Sequence, residues 1–301
     1  MFAMSFSGNA KSSVSALPPE HDCCARAQLR AMLSFSSSFG ENGVKFITET
    51  PEVSDIFTSL LLICTDVAAT PEISEARTSS TYKTEITKKE ELEKLFALFE
   101  GKENIYKVNK HLFGCKKCAV SYIRGAFLAG GFVNSPDHSY HLEISSPHAD
   151  LAVDTAVLLS ERIGMPKISA RKSSQIIYYR ESAMVEDFLT LIGATRSAMD
   201  IMSEQIKREL RNQANRQSNF EVANLGKTID AAAAQISAIN DLKAKGKFEE
   251  MTPQMQRLAD LRTEHDDVSQ KELGEMMQPP ISKSQVSKIL AKIMKFYELY
   301  K

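Results

Sequence analysis

No stretch of this sequence is apolar enough to span a bilayer. The longest runs free of charge and strong polarity, Leu60 to Cys64 and Ala126 to Val133, fall far short of the roughly 20 residues a membrane helix needs. The opening MFAMSFSGNAKSSVSALPPE lacks the apolar core of a secretory signal, so the chain is expected to stay in the cytoplasm where it is made. Cysteine is sparse: five residues without dense spacing fit a reducing compartment better than a disulfide framework. Neither sign of charge dominates, since 37 Lys and Arg stand against 38 Asp and Glu in 301 residues. Attraction of the whole chain to a polyanion is therefore weak, and any nucleic-acid contact must come from a local cluster. What is present, 43% hydrophobic and 25% charged residues, suits one large folded domain or two to three smaller ones and excludes a fibre or a disordered tail.

The first two thirds contain an internal repeat. CARAQLRA from Cys24 lies over CAVSYIRG from Cys118 at a shift of 94, and KFITETPEVSDIFTSLLL from Lys45 lies over HLEISSPHADLAVDTAVLL from His141 at a shift of 96. KKEELEKLFALFEG, ending at Gly101, lies over RESAMVEDFLTLIG, ending at Gly193, at a shift of 92. Each copy reads as helix, two strands, helix, two strands, helix. In the second copy the spacing predicts helices over 117–129, 149–162 and 182–192, with hairpins at 132–145 and 167–179. A half with one exposed apolar sheet face gains by pairing with the other, so the two copies form one pseudo-two-fold α+β domain over residues 22–195. Residues 1–21 stand outside it, expected without fixed structure.

Ala27 and Ala31 in the first leading helix, and Ser121, Gly125 and Ala129 in the second, put small residues four apart. Small side chains on one face let two helix backbones approach, which places these helices back to back on the pseudo-two-fold axis. Helix-to-sheet packing is the other outcome of the same spacing. YIRGAFLAGG, Tyr122 to Gly131, resembles the LAGLIDADG motif of homing endonucleases. That resemblance implies the doubled helix-strand-strand-helix fold and asks whether the chemistry survives.

A nuclease of that kind needs an acid at the end of each motif helix, because hard cations require charged oxygen ligands. The matching positions are Ser36 and Gly130, and the nearest acids, Glu41 and Asp137, lie beyond the helix ends. No catalytic residue is therefore assigned. Residues 1–195 also hold 20 basic against 23 acidic residues, which argues against gripping DNA over a broad sheet surface.

Cys115-Lys116-Lys117-Cys118 has the spacing of half a zinc site, and Cys23 and Cys24 are the available complement. Adjacent cysteines at a helix start are expected to diverge, so buried structural thiols are the reading taken and no metal or cofactor is assigned. Gly226-Lys227-Thr228 imitates the tail of a phosphate loop, but Glu221 stands where its first glycine belongs and the pattern is helical. Nucleotide binding is rejected. Six scattered histidines give no Ser/His/Asp or Cys/His set.

Beyond Gly193 the composition turns to helix formers, giving a helical bridge over 196–251. Met199, Met202, Ile206 and Leu210 form an apolar stripe. Arg208, Arg211, Asn212 and Asn215 share the opposite face, a candidate secondary DNA contact or else a solvated face or interdomain seam. A second helix is expected from about Glu221 to Leu242, then an exposed hinge at Lys243 to Lys247.

From Thr252 to Lys301 the signals are sharper. Thr252 and Pro253 are an N-cap and first-turn proline, Ser269 to Glu272 a capping box, and Ser282 the cap of a last helix. Three short helices joined this way make a helix-turn-helix. Between Ile281 and Phe296 there are four lysines and no acid, while Val286, Ile289, Leu290 and Ile293 form the inner stripe. The outer face would enter a major groove, N-terminal residues first. Gln285 can read adenine and Lys288 guanine, with Ser284 and Ser287 beside them. Lys283, Lys292 and the capped N-terminus suit phosphates, and Lys271, Ser282 and Lys295 complete the expected DNA-binding set. A protein-docking bundle is the competing use of such a module.

CCARA near the start, YIRGAFLAGGFVN, RELRNQANRQSNFEVANLGKTIDAA and VSQKELGEMMQPPISKSQVSKIL together resemble the WhiA family over about Cys23 to Lys295. The resemblance implies a non-enzymatic, nucleoid-associated regulator of transcription, cell division, chromosome segregation and sporulation in a Gram-positive bacterium. Its implied partners are double-stranded DNA and another transcription regulator or division protein. The rivals are a scaffold that tethers proteins without touching DNA and a residual metal-dependent nuclease.

Overall fold

The computed structural model describes residues 4–76 and 80–301. These residues divide into two compact units, one reaching from the N-terminus to Arg208 and the other covering Glu209–Lys301.

The first unit opens on α1 (Phe6–Ser15), where a disordered lead is expected from sequence. The Ser5 hydroxyl caps it, and Ala10 and Val14, four apart, are fully buried in the main core. A small apolar pair at helical spacing is enough when a larger body offers it a surface. Two copies of one motif follow. The first comprises α2 (Asp22–Ser34), β1 (Ser38–Gly40), β2 (Gly43–Thr48), α3 (Pro51–Thr65), β3 (Glu72–Glu75), β4 (Ser80–Ile86) and α4 (Lys89–Ala97). The second comprises α5 (Cys118–Gly130), β5 (Gly131–Val133), β6 (Leu142–Ser146), α6 (Ala149–Ser160), β7 (Lys167–Arg171), β8 (Ser174–Tyr179) and α7 (Ser182–Ile192). Both sheets are antiparallel with matching strand order, β1-β2-β4-β3 and β5-β6-β8-β7. The doubled helix-strand-strand-helix α+β architecture read from the repeat is present.

The strands alternate as half-buried strands must. On β2, Val44, Phe46 and Thr48 face the core, where Phe46 stacks on Phe57 of α3 at 4.0 Å, while Lys45 and Ile47 turn outward. The leading helices α2 and α5 do pack back to back. A Cβ on Gly125 would lie 2.2 Å from the Gln28 carbonyl oxygen and 2.9 Å from the Ala31 Cβ, so only glycine permits this approach. The repeat also duplicates a bond: Arg30 donates from Nε to the carbonyl of Leu98 just past α4, and Arg124 from Nε to that of Ile192 in α7. Each central helix thereby holds down the last helix of its own copy.

The bridge differs from its expected form. Instead of two helices, one continuous helix, α8, runs over Thr195–Ala244, 50 residues or about 75 Å. Nothing between Arg211 and Glu221 stops a helix, since that segment holds neither proline nor glycine. Met199, Met202, Ile206 and Leu210, the expected inner stripe, are 43–61% exposed. The buried face runs instead through Ala198 and Ile201, which join the first unit's core. Lys243 to Lys247 is not a loose hinge either. Gly246, at φ +67°, turns the chain, and Lys243 pairs with Asp260 at 2.7 Å and Lys247 with Glu250 at 2.5 Å.

The second unit contains the remainder of α8, then α9 (Pro253–Glu264), α10 (Gln270–Met276) and α11 (Lys283–Glu298). Its core includes Ile239 and Leu242 of α8 with Leu258, Leu273, Val286, Ile289, Leu290 and Ile293. The C-terminal module therefore begins before Thr252, because α8 supplies one wall of its core. Among the described residues no helix is long and apolar enough to cross a membrane.

Candidate nucleic-acid interface

Helix α11 is built from its start. The Ser282 Oγ accepts the Gln285 backbone N–H at 3.3 Å, and the Gln285 side-chain oxygen accepts the Ser282 N–H at 2.9 Å. This reciprocal capping box satisfies two donors the helix would otherwise leave unpaired, stabilising its first turn by about 1 kcal/mol. Val286, Ile289, Leu290 and Ile293 fall at helical spacing on one buried face, each contributing roughly 1.5–3 kcal/mol.

The opposite face follows from the same periodicity. Ser282, Lys283, Ser284, Gln285, Ser287, Lys288, Lys292 and Lys295 are all exposed. Among the described residues no acid forms an ion pair with the four lysines, and the helix carries no acid before Glu298. The ammonium groups are presented to solvent, Lys283 beside the partially positive helix N-terminus and Lys295 in the last turn. Lys271, exposed on α10, lies 3.9 Å from Glu275, a weak surface pair.

The oxygen of the exposed Gln285 side chain also serves in the cap, a helix-start role beside the base contact expected of it. Lys283, Ser284, Ser287, Lys288, Lys292 and Lys295 are the outward positions outside this cap. The S-x-x-Q spacing carries the capping signal in the sequence.

Two positioning residues were not foreseen. Arg262 is almost fully buried and donates to the Val268 carbonyl at 2.9 Å, fixing the turn from α9 to α10. A Cβ on Gly274 would lie 2.3 Å from the Ile281 carbonyl oxygen, and the Ile281 N–H donates to the Gly274 carbonyl at 2.9 Å. The glycine within α10 is what lets the turn into α11 fold back so tightly, and it is the one legible clue of the two.

The secondary candidates on α8 separate. Arg208 does not face outward: it donates to the carbonyls of Pro136 at 2.6 Å and His138 at 2.8 Å, with its guanidinium 4.9 Å from the Tyr140 ring centre. It is a seam within the first unit. Arg211, Asn212 and Asn215 lie exposed on the portion of α8 in the second unit.

The first unit shows what stands where a nuclease would hold metal. Ser36 is buried, its hydroxyl donating to the Leu33 carbonyl at 2.7 Å, and a Cβ on Gly130 would meet the Ser145 carbonyl oxygen at 2.5 Å. Glu41 is paired with Lys102 at 2.9 Å, and Asp137 is exposed in the β5–β6 connection beside His138. On the outward sheet faces, Lys83 lies between Glu72 and Glu85, and Arg171 makes a bidentate pair with Glu143 at 2.7 and 2.8 Å.

The cysteines overturn an expectation. Cys23 and Cys24 do not diverge from Cys115 and Cys118: the four sulfurs lie within 4.8 Å of one another. Cys24 and Cys115 are 3.5 Å apart, and Cys115 and Cys118 3.7 Å. The Lys117 backbone N–H and neighbouring thiols pull the Cys115 thiol down to about 6, whereas burial pushes Cys24 and Cys118 up.

Comparison with known proteins agrees with this division. A family model described as the WhiA LAGLIDADG-like domain matches residues 119–211, and one described as the WhiA C-terminal HTH domain matches residues 214–297. The probable cell division protein WhiA of Syntrophomonas wolfei is 30% identical over 305 residues, covering 96% of each chain. The protein of the same name from Clostridium botulinum is 36% identical over 190 residues, 63% of this chain and 60% of that one. The full-length DUF199/WhiA crystal structure from Thermatoga maritima superposes with a TM-score of 0.60 at 21% identity, covering 98% of both chains.

Proposed function

The chain belongs to the WhiA family, and from that premise we propose that it is a DNA-binding regulator without catalytic activity, whose helix α11 enters the major groove. The observation that carries this reading is the exposed face of α11, with four lysines that pair with no acid among the described residues, on a helix whose other face is locked into a core. Ser284, Ser287 and Lys288 meet base edges. Lys271, Lys283, Lys292 and Lys295 contact phosphates with the capped N-terminus, and Arg211, Asn212 and Asn215 are secondary contacts. The repeat domain positions this reader or binds another regulator or division protein. Absence of catalysis rests on Ser36 and Gly130 standing where carboxylates are needed. Curated relatives carry the name probable cell division protein. The role extended from it is control of cell division, chromosome segregation and sporulation by a protein associated with the nucleoid in the cytoplasm.

The deciding experiment uses the site selected from random duplexes by the full chain. Lys288→Ala is expected to weaken specific binding by roughly 1–3 kcal/mol and to relax selectivity at one base position. Unchanged affinity and selectivity overturn the placement of α11, and lack of a salt-dependent mobility shift overturns DNA binding altogether. Cleavage of that duplex with magnesium overturns the non-catalytic reading.

A further inference from the structure

Cys23 and Cys24 open α2, and Cys115 stands three residues before Cys118, the first residue of α5. These are the two helices that pack on the pseudo-two-fold axis, so four thiols from two copies of a repeat converge where the helix N-terminal ends meet. Their mutual distances, none above 4.8 Å, have a chemical meaning. A zinc ion binds thiolate sulfur at about 2.3 Å, and a tetrahedron of that bond length holds its corners about 3.8 Å apart. The 3.5 and 3.7 Å separations already found are close to that edge. Clusters of several irons need their sulfur ligands spread more widely, so the geometry suits a single ion.

The surroundings are built for such an ion. The 115–118 segment is a C-x-x-C knuckle closed by the Cys118 backbone N–H, which donates to the Cys115 carbonyl at 3.1 Å. A Cβ on Gly114 would fall 2.9 Å from the Cys23 Cβ and 3.3 Å from its sulfur, so a glycine there lets the knuckle close on Cys23. Four thiolates around a divalent cation carry a net negative charge. Two helix N-termini point their partial positive ends at it, and Lys116 and Lys117 lie on the knuckle itself. His21 flanks the group, with Nδ1 3.8 Å from the Cys24 sulfur and 4.0 Å from that of Cys115.

We propose that Cys23, Cys24, Cys115 and Cys118 form a structural tetrathiolate zinc site that clamps the two halves of the repeat together at the N-terminal ends of α2 and α5. All four protein positions are filled, which leaves no open coordination site for water or substrate and marks the ion as structural. Binding displaces the thiol protons into solvent and couples metal affinity to folding of the first unit. The fifth cysteine, Cys64, lies on α3 and is not one of the four. The site is independent of the DNA-reading face.

The test is metal analysis of the full chain purified without chelator from zinc-replete cells. About one zinc per chain is expected, retained in native mass spectrometry and lost from the Cys115→Ser/Cys118→Ser double variant but not from Cys64→Ser. Because the double variant can fail to fold, the wild-type chain is also exchanged with cobalt(II), which should give the intense visible bands of tetrahedral thiolate coordination together with sulfur-to-metal charge transfer. Folded protein with no bound metal and four thiols open to a disulfide reagent overturns the proposal. So do disulfides among the four in non-reducing peptide mapping, or an iron chromophore in place of zinc.

Discussion

Lys45 and Lys83 on the first sheet and Arg171 on the second each face a glutamate, whereas Lys283, Lys288, Lys292 and Lys295 on α11 face none among the described residues. The contrast is one of availability. A cation already neutralised within the fold releases few counterions from a phosphate backbone, while one held in open solvent releases its full share. The first unit pairs Lys45, Lys83 and Arg171 with glutamates, and the small C-terminal module keeps its charges apart from acids by giving α11 none until its last turn. Net charge near zero over the whole chain conceals this division, and only the local arrangement reveals it.

The largest effect that can test the contrast falls on the framework. In each unit a glycine stands at a close approach between elements, Gly125 between α2 and α5 and Gly274 before α11. Gly125→Leu should destabilise the first unit by about 3 kcal/mol or more, read by urea unfolding, because a backbone carbonyl occupies the space the side chain needs. Gly274→Ala should cost about 2 kcal/mol, read by thermal melting of the full chain, and should depress DNA affinity as the turn opens. Smaller still, Lys292→Ala and Lys295→Ala should each lower the slope of log affinity against log salt by about 0.9 without changing base preference, checked by anisotropy titrations. Lys45→Ala on the sheet should leave that slope unchanged and shift stability by less than about 1 kcal/mol; an equal slope change there would erase the distinction between the units.

A pH experiment sharpens the same comparison. Burial alone raises the Glu143 carboxyl, but hydrogen bonds and charge from Arg171 and His141 outweigh it and hold it below its ordinary value. A depressed carboxyl stabilises the fold above the unfolded-state pKa of about 4.3, and that contribution disappears as pH falls through the folded value. Glu143→Gln should therefore destabilise the protein at neutral pH and change it little in strong acid, followed by circular dichroism.

Much of this was legible before any coordinates. The repeat, its small-residue helix faces, the three capping signals and the inner stripe of α11 are local patterns, and local patterns survive in sequence. The cysteine cluster was misread because it is a property of the duplication: residues about 90 positions apart meet only when two helix starts converge on an axis. Helix α1 was missed because Ala10 and Val14 are a weak apolar pair until a core receives them. The continuity of α8 follows from a segment, 211–221, without proline or glycine, and the capping role of Gln285 is legible in its spacing from Ser282.

The reciprocal cap at Ser282 and Gln285, with the turn pinned by Arg262, has a calorimetric consequence. A recognition helix that is complete before its target arrives has little ordering entropy left to lose. Docking of a duplex should then show a heat-capacity change no larger than the contact surface accounts for, with an association rate set by electrostatic encounter rather than by a folding step.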